Sequence, residues 1–368
     1  MSDLKRFDPW LTDDGPAALV IRERLMPVEG HDGVLFPATF AAGDNFAGGY
    51  NIDGPTDGPN VCLIDSVGSQ ANRIEPLFAK EKYAPLVPQV VVEAGEKAVN
   101  ILEAGHRAGD AIVRCSALQR DLQDAFRAVL KGNAEPLAKI APTSLVFGVW
   151  DSRDTQAKLP RLIASTIRAF NVRKLTRSAQ YVPAAEYVPA GLLDEPAEKK
   201  EKDAYAERGF IHVPASGSHG GVIAEGGIRR DATLSLSALR LLAVRDAKGA
   251  VAADATLKLR RYVLGLALTA FTYNPVGYLR AGCNLVLDPD KPREFKEVYG
   301  DGRRIDAKVS HADAVEYAKA AAAAFGVGAG RTVPFDKDLA KRDVKGESAD
   351  EPARAGGRGG RGRRQAGE

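Results

Sequence analysis

Two stretches carry the residue types best able to do chemistry. Val61-Cys62-Leu63-Ile64 is an apolar run that breaks at Asp65-Ser66 and continues as Val67-Gly68-Ser69-Gln70-Ala71-Asn72-Arg73. An apolar run after the turn-rich segment 51–60 predicts a buried strand. Ser66 or Ser69 then caps a helix starting near Gln70. Free N–H groups at such a start favour an anion, and a neighbouring guanidinium adds charge-assisted pairing. Phosphate and carboxylate both satisfy that chemistry. Later, Leu145–Trp150 is followed by Asp151-Ser152-Arg153-Asp154-Thr155-Gln156-Ala157-Lys158. Both segments read apolar run, Asp-Ser, two residues, Ser or Thr, Gln-Ala, then a basic residue within two positions. The repeat is either a shared strand-to-helix turn or a pair of turns that present polar and basic groups to one extended anion.

Enzyme readings find little else to build on. No P-loop, dinucleotide fingerprint, nucleophile elbow or H-E-x-x-H helix is present. The five histidines lack metal-ligand spacing. Ser218-His219 lies in a glycine-rich segment, where neighbouring side chains of a hairpin point to opposite faces. Asp65 and Asp151 leave one alternative open, a metal-dependent nuclease, although turn and cap roles suit their positions. The binding reading has more support. Lys158, Arg161 and Arg168 fall on a helix predicted over 157–170, whose buried face is Leu159, Leu162, Ile163, Ile167 and Phe170. Arg173, Lys174 and Arg177 follow directly, and Arg73, Arg229 and Arg230 stand in turns or a hairpin. Arginines of this kind can follow a single-stranded phosphate backbone without reading its sequence.

The remaining elements have to position these groups. The 368 residues are 45% hydrophobic and 27% charged, the balance of a globular chain with a substantial core. A net charge of +3 does not by itself announce a nucleic-acid binder. Cys62, Cys115 and Cys283 are far apart in apolar contexts, which predicts reduced, buried thiols in a cytoplasmic protein. No signal peptide and no membrane-length apolar run is found. Strands are predicted at 16–26, 90–92, 111–113, 145–150 and 278–287, with a long loop over 34–60. Helices are predicted over 116–130, 255–271 and 311–325. Segment 194–203 is a solvated loop or exposed helical turn, and 210–236 reads as a protruding hairpin with a Gly-rich tip. Residues 331–368, ending in Arg358-Gly359-Gly360-Arg361-Gly362-Arg363-Arg364, form a disordered basic tail that either adds nucleic-acid affinity or only solubilises.

Asp65-Ser66-x-x-Ser69-Gln70-Ala71-Asn72-Arg73-Ile74-Glu75 after an apolar strand resembles the RAMP-superfamily backbone subunit of the type I-G (formerly I-U) CRISPR Cascade complex. The resemblance extends through Leu145–Phe170, Gly227-Ile228-Arg229-Arg230, Leu234–Arg240 and Leu279–Cys283, and so spans most of residues 15–330. It implies an α+β fold with an RRM-like, ferredoxin-type core, large insertions and a hairpin thumb, in one hand-shaped domain over 1–330. It also implies copies stacked along a guide RNA, pairing of that guide with target DNA, contacts with other Cascade subunits, and no catalysis, metal or cofactor. The candidate RNA contacts are then Ser66, Ser69, Gln70, Asn72, Arg73, Ser152, Arg153, Gln156, Lys158, Arg161, Arg168, Ser218, His219, Arg229 and Arg230. No RNP-type aromatic motif is visible, so the sheet strands are not the expected binding surface.

Overall fold

The computed structural model describes residues 4–55, 58–274 and 277–346, with residues 179 and 215–218 described by backbone alone. The glycine- and arginine-rich segment lies outside the described residues. The fold is mixed α+β around an antiparallel sheet. Its strands of five or more residues are β1 (Ala18–Pro27), β2 (Val61–Asp65), β3 (Ile163–Phe170), β6 (Ile228–Ser235), β7 (Cys283–Leu287) and β8 (Glu294–Val298). Between β3 and β6, β4 (Val172–Tyr181) and β5 (Val213–Ala224) pair as a separate two-stranded arm.

In the sheet, β1 pairs antiparallel with β6 on one side and with β7 and β8 on the other. β6 in turn pairs with β3, and β3 with β2. The sheet alternates buried and partly exposed residues along β1 and β6, as expected when one face is covered. The cover is α2 (Ala253–Thr272) against α3 (His311–Phe325). Alanine enrichment of α3 has a packing reason. A Cβ at Gly265 of α2 would lie 2.8 Å from the Ala318 Cα, so the two helices need small residues where they meet. Leu19, Ile21, Ala232 and Leu234 join these helices in the larger of two apolar clusters. The smaller cluster, with Leu25, Cys62, Ile167, Ile228 and Cys283, fills the far end of the same face.

Several expected elements change. Residues 157–170 are not a helix: Lys158–Leu159 is a short strand and 163–170 is β3. Its apolar residues fit helical spacing, but β-branched Ile163, Thr166 and Ile167 suit a strand that pairs with β6 over Ile163–Ala169 and with β2 from Ile167 to Phe170, and the inward Ser165 hides the alternation. Of the expected strand 145–150 only Val149–Trp150 is a strand; Thr143–Phe147 is a helix, ended by Gly148 at φ +76°. Ala111–Arg114 is a helical turn capped by Asp110, not a strand.

The hairpin expected at 210–236 is also displaced. β5 runs straight through the glycines, and the arm is 172–224, with the charged segment at its end as the exposed helix Lys199–Glu207. Gly221 sits at φ +98°, and a Cβ there would lie 2.8 Å from the Leu35 carbonyl oxygen. The glycines therefore serve close crossing of the arm base by segment 34–36, not a turn. Residues 331–346 belong to the fold as well, correcting the tail boundary. Arg331–Pro334 pairs in parallel with Val90–Glu93, and Lys337–Lys345 is a helix whose N-terminal N–H groups donate to Asp336.

Candidate nucleic-acid interface

The first Asp-Ser turn folds as its sequence dictates. α1 (Val67–Ile74) starts at Ser66, whose Oγ accepts from the Ser69 N–H at 3.2 Å. Asp65 is buried at the end of β2 and accepts from Gln70 Nε2 at 2.6 Å and Arg73 Nε at 3.0 Å. Behind it a chain of polar groups crosses the sheet. Ser165 Oγ donates to Gln70 Oε1 at 2.9 Å and accepts from Arg230 Nε at 3.2 Å. Arg230 Nη1 pairs with Glu23 Oε2 at 2.7 Å, and Arg293 Nε lies 3.1 Å from Glu23 Oε1. Strand register places Glu23 opposite Arg230, Arg230 opposite Ile167, and Ile167 opposite Asp65. This row separates the two apolar clusters. Gln70 is 0% and Arg230 1% exposed, so both correct the expectation of direct RNA contact: their polar atoms are used inside the protein. Burial lowers the Arg230 pKa against the opposing pull of Glu23. Arg73 and Asn72 remain on the surface, and Ser66 and Ser69 are half-buried.

The second turn shares the wording and not the shape. Asp151 Oδ2 accepts from the Thr155 N–H at 2.8 Å and its hydroxyl at 2.6 Å, while Oδ1 accepts from the Asp154 N–H at 3.3 Å. No helix follows. Gln156 takes φ +59° and its Nε2 donates to the Ser152 carbonyl at 2.6 Å. Lys158–Leu159 then pairs back onto Val149–Trp150. Arg153 is exposed, and Arg161 Nε donates to the Phe147 carbonyl at 3.1 Å.

Arg107, which nothing in the sequence singles out, joins the two turns. Its Nη2 donates to Asn72 Oδ1 at 3.2 Å and its Nη1 to the Gly148 carbonyl at 3.4 Å. Its Nε lies 2.5 Å from Glu75 Oε2 at the end of α1. Burial lifts the Glu75 carboxyl from 4.5 to about 7 against the pull of Arg107, and burial lowers the Arg107 guanidinium. Within Gly105-His106-Arg107-Ala108-Gly109 no local signal separates this arginine from a loop cation. Beside it an open groove of about 530 Å³ is lined by His106, Trp150, Ser152, Lys158 and Arg161, among others.

Other expected contacts lie elsewhere. Arg229 and Arg168 face away from Arg230, on the outer surface of the sheet, in register with each other and with Arg24. Asp231 accepts from Arg229 Nε at 2.7 Å and Arg22 Nε at 3.3 Å, while Arg168 Nη1 donates to Thr166 Oγ1 at 2.7 Å. Arg22 and Arg24 add to the expected set; the alternation in β1 is the signal that identifies them as outward residues. His219 is mid-strand in β5, its ring 5.0 Å from that of Tyr50. Ser218 pairs with Arg177, and its side chain is outside the described atoms. The expected set therefore divides into the joined turns, the outer sheet face, the arm and the buried row.

Among the described residues, His31, Asp288 and Asp290 could gather donor atoms around a metal, but Lys291 Nζ already lies 3.5 Å from Asp288 Oδ2. Neither Asp65 nor Asp151 belongs to that group. The three cysteines are buried and free, and burial pushes the Cys62 thiol up to about 12. Among the described residues no helix is long and apolar enough to cross a membrane.

Residues 19–174 match the family described as CRISPR-associated protein GSU0053. That span runs from β1 through both Asp-Ser turns and β3 to the first residues of the arm. The match supports a CRISPR-associated protein. No curated protein matches the chain.

Proposed function

We propose that this chain is a non-catalytic backbone subunit of a type I CRISPR interference complex that binds guide RNA, stacks with further copies and other Cascade subunits, and presents the guide to target DNA. The observation that carries the reading is the CRISPR-associated family match, because it contains both turns and the arginine that joins them. The strand order supports an RRM-like core of the RAMP type. β1 and β3 lie either side of β6, and β8 flanks β1, which is the order of a ferredoxin-type split βαβ sheet. The arm supports a thumb that reaches beyond the core. Asn72, Arg73, Lys158 and Arg161 offer exposed amide, ammonium and guanidinium groups for phosphates, while Asp65 and Asp151, the carboxylates a nuclease would use, are held in turn hydrogen bonds.

Co-expression with a CRISPR array tests the reading. Purified protein should carry protected RNA of repeat-spacer length, and recovery of nucleic-acid-free monomer alone overturns it. Arg73→Ala or Lys158→Ala should weaken RNA binding and reduce the slope of log affinity against log salt by about 0.7 for each phosphate that is no longer neutralised. An unchanged slope removes that residue from the interface. Metal-stimulated RNA cleavage that disappears in Asp65→Asn would instead support a nuclease.

A further inference from the structure

We propose that Trp150 is the platform on which one unpaired base of the bound single-stranded RNA stacks. The proposal rests on the guide-RNA reading and adds a residue and a contact type to it. The chain has two tryptophans, and they are treated in opposite ways. Trp10 is 6% exposed and stacks on Phe7 with ring centroids 4.6 Å apart. Trp150 is 57% exposed. Trp is enriched at interfaces, where its large apolar ring meets a wet surface.

Its support is rigid. Val149–Trp150 is held in register with Leu159 and Lys158, and the Gly148 carbonyl just before it accepts from buried Arg107. Gly109 packs so closely behind it that a Cβ there would come within 3.0 Å of the Trp150 carbonyl oxygen.

The surrounding charge identifies the partner. Lys158 Nζ lies 5.4 Å from the Trp150 ring centroid, and Arg161 and His106 complete the groove wall. No described carboxylate lines the groove, and neither Lys158 nor Arg161 has an acidic partner among the described residues. An aromatic face beside two uncompensated cations, Lys158 and Arg161, suits a base with its flanking phosphates, since every base has a stackable face and the cations take the backbone. An apolar peptide would leave those cations unanswered.

Intrinsic fluorescence reads this stacking directly, because Trp10 is a shielded internal control. The full chain is titrated with a single-stranded uridine 12-mer, and binding is followed in parallel by filter retention. Emission from the exposed tryptophan should be quenched as RNA saturates, Trp150→Ala should weaken binding about tenfold, and Trp150→Tyr should restore most of it. The quenching measurement needs no variant, so a poorly folding Trp150→Ala does not blunt the test. Retained RNA with unquenched emission, and with Trp150→Ala within twofold of the unaltered protein, overturns the platform and leaves guide binding standing. No retention of RNA by the unaltered protein overturns the guide-binding reading itself. Emission that changes with protein concentration in the absence of RNA assigns Trp150 to an interface between copies and overturns the platform.

Discussion

Asp65-Ser66 and Asp151-Ser152 open with the same two residues, and both carboxylates end up buried, yet one begins a helix and the other closes a loop. The difference lies in what each aspartate holds. Asp65 reaches past its own turn to the side chains of Gln70 and Arg73, which leaves the Ser69 N–H for Ser66. Asp151 takes the nearby backbone N–H groups itself, so Ser152 caps nothing. The first turn is anchored in the sheet through Gln70, Ser165 and Arg230. The second is anchored in itself and, through Gly148, in Arg107. The shared Asp-Ser step thus gives a helix start only where side chains of that helix, Gln70 and Arg73, draw the carboxylate away from the backbone donors.

The largest expected effect breaks the anchor of the first turn. Arg230→Ala leaves Glu23 buried with only Arg293 beside it, and stranding one member of a buried pair costs about 3–5 kcal/mol. Asp151→Ala removes turn hydrogen bonds alone and should cost about 1–3 kcal/mol. Urea unfolding midpoints compare the two variants. If Arg230→Ala is the milder change, the polar row does not anchor the turn.

How far this architecture is legible in the sequence follows from the range of each signal. The opening strand and α1 are local: an apolar run, a break and a serine cap stand side by side in one stretch of chain, and the fold keeps them. α2 and α3 are likewise announced by long periodic runs. β3 reads as a helix because its spacing fits both periods, and only its neighbours β6 and β2 decide between them. The arm is misplaced in the sequence reading because glycines that suggest a turn are needed for the crossing of Leu35 over Gly221, an approach of distant segments. The site divides along the same line. Arg73 and Lys158 announce themselves by local context, whereas Arg107 gains its role only from Asn72, Glu75 and Gly148 arriving around it. Arg229 and Arg230 are adjacent in sequence and separate to opposite sheet faces, so one meets solvent and the other the core.

The link between the turns is sensitive to pH, an effect next in size. Glu75 carries a folded-state pKa of about 7 against 4.5 ordinarily. The folded protein therefore holds more protons than the unfolded chain between those values, and stability falls as pH rises through that window. Glu75→Gln should flatten the dependence, measured as urea midpoints at about pH 5, 6 and 7. A slope that survives the substitution assigns it to another group and leaves the link between the turns without its titrating member.

The smallest effect separates the two serines themselves. Ser66→Ala removes an N-cap acceptor and should cost about 1 kcal/mol, because the Ser69 N–H then has no partner at the start of α1. Ser152 is exposed, and its carbonyl, which the substitution leaves intact, is what Gln156 binds. Ser152→Ala should therefore stay within about 0.5 kcal/mol of the unaltered protein. The pair is informative because both serines follow an aspartate and precede a Gln-Ala step at the same spacing. Equal costs would mean that the two turns are energetically alike despite their different shapes, and a larger cost at Ser152 would invert the comparison. The expected inequality follows from one structural fact: at the second turn the aspartate has already used the backbone donors that a serine cap would take.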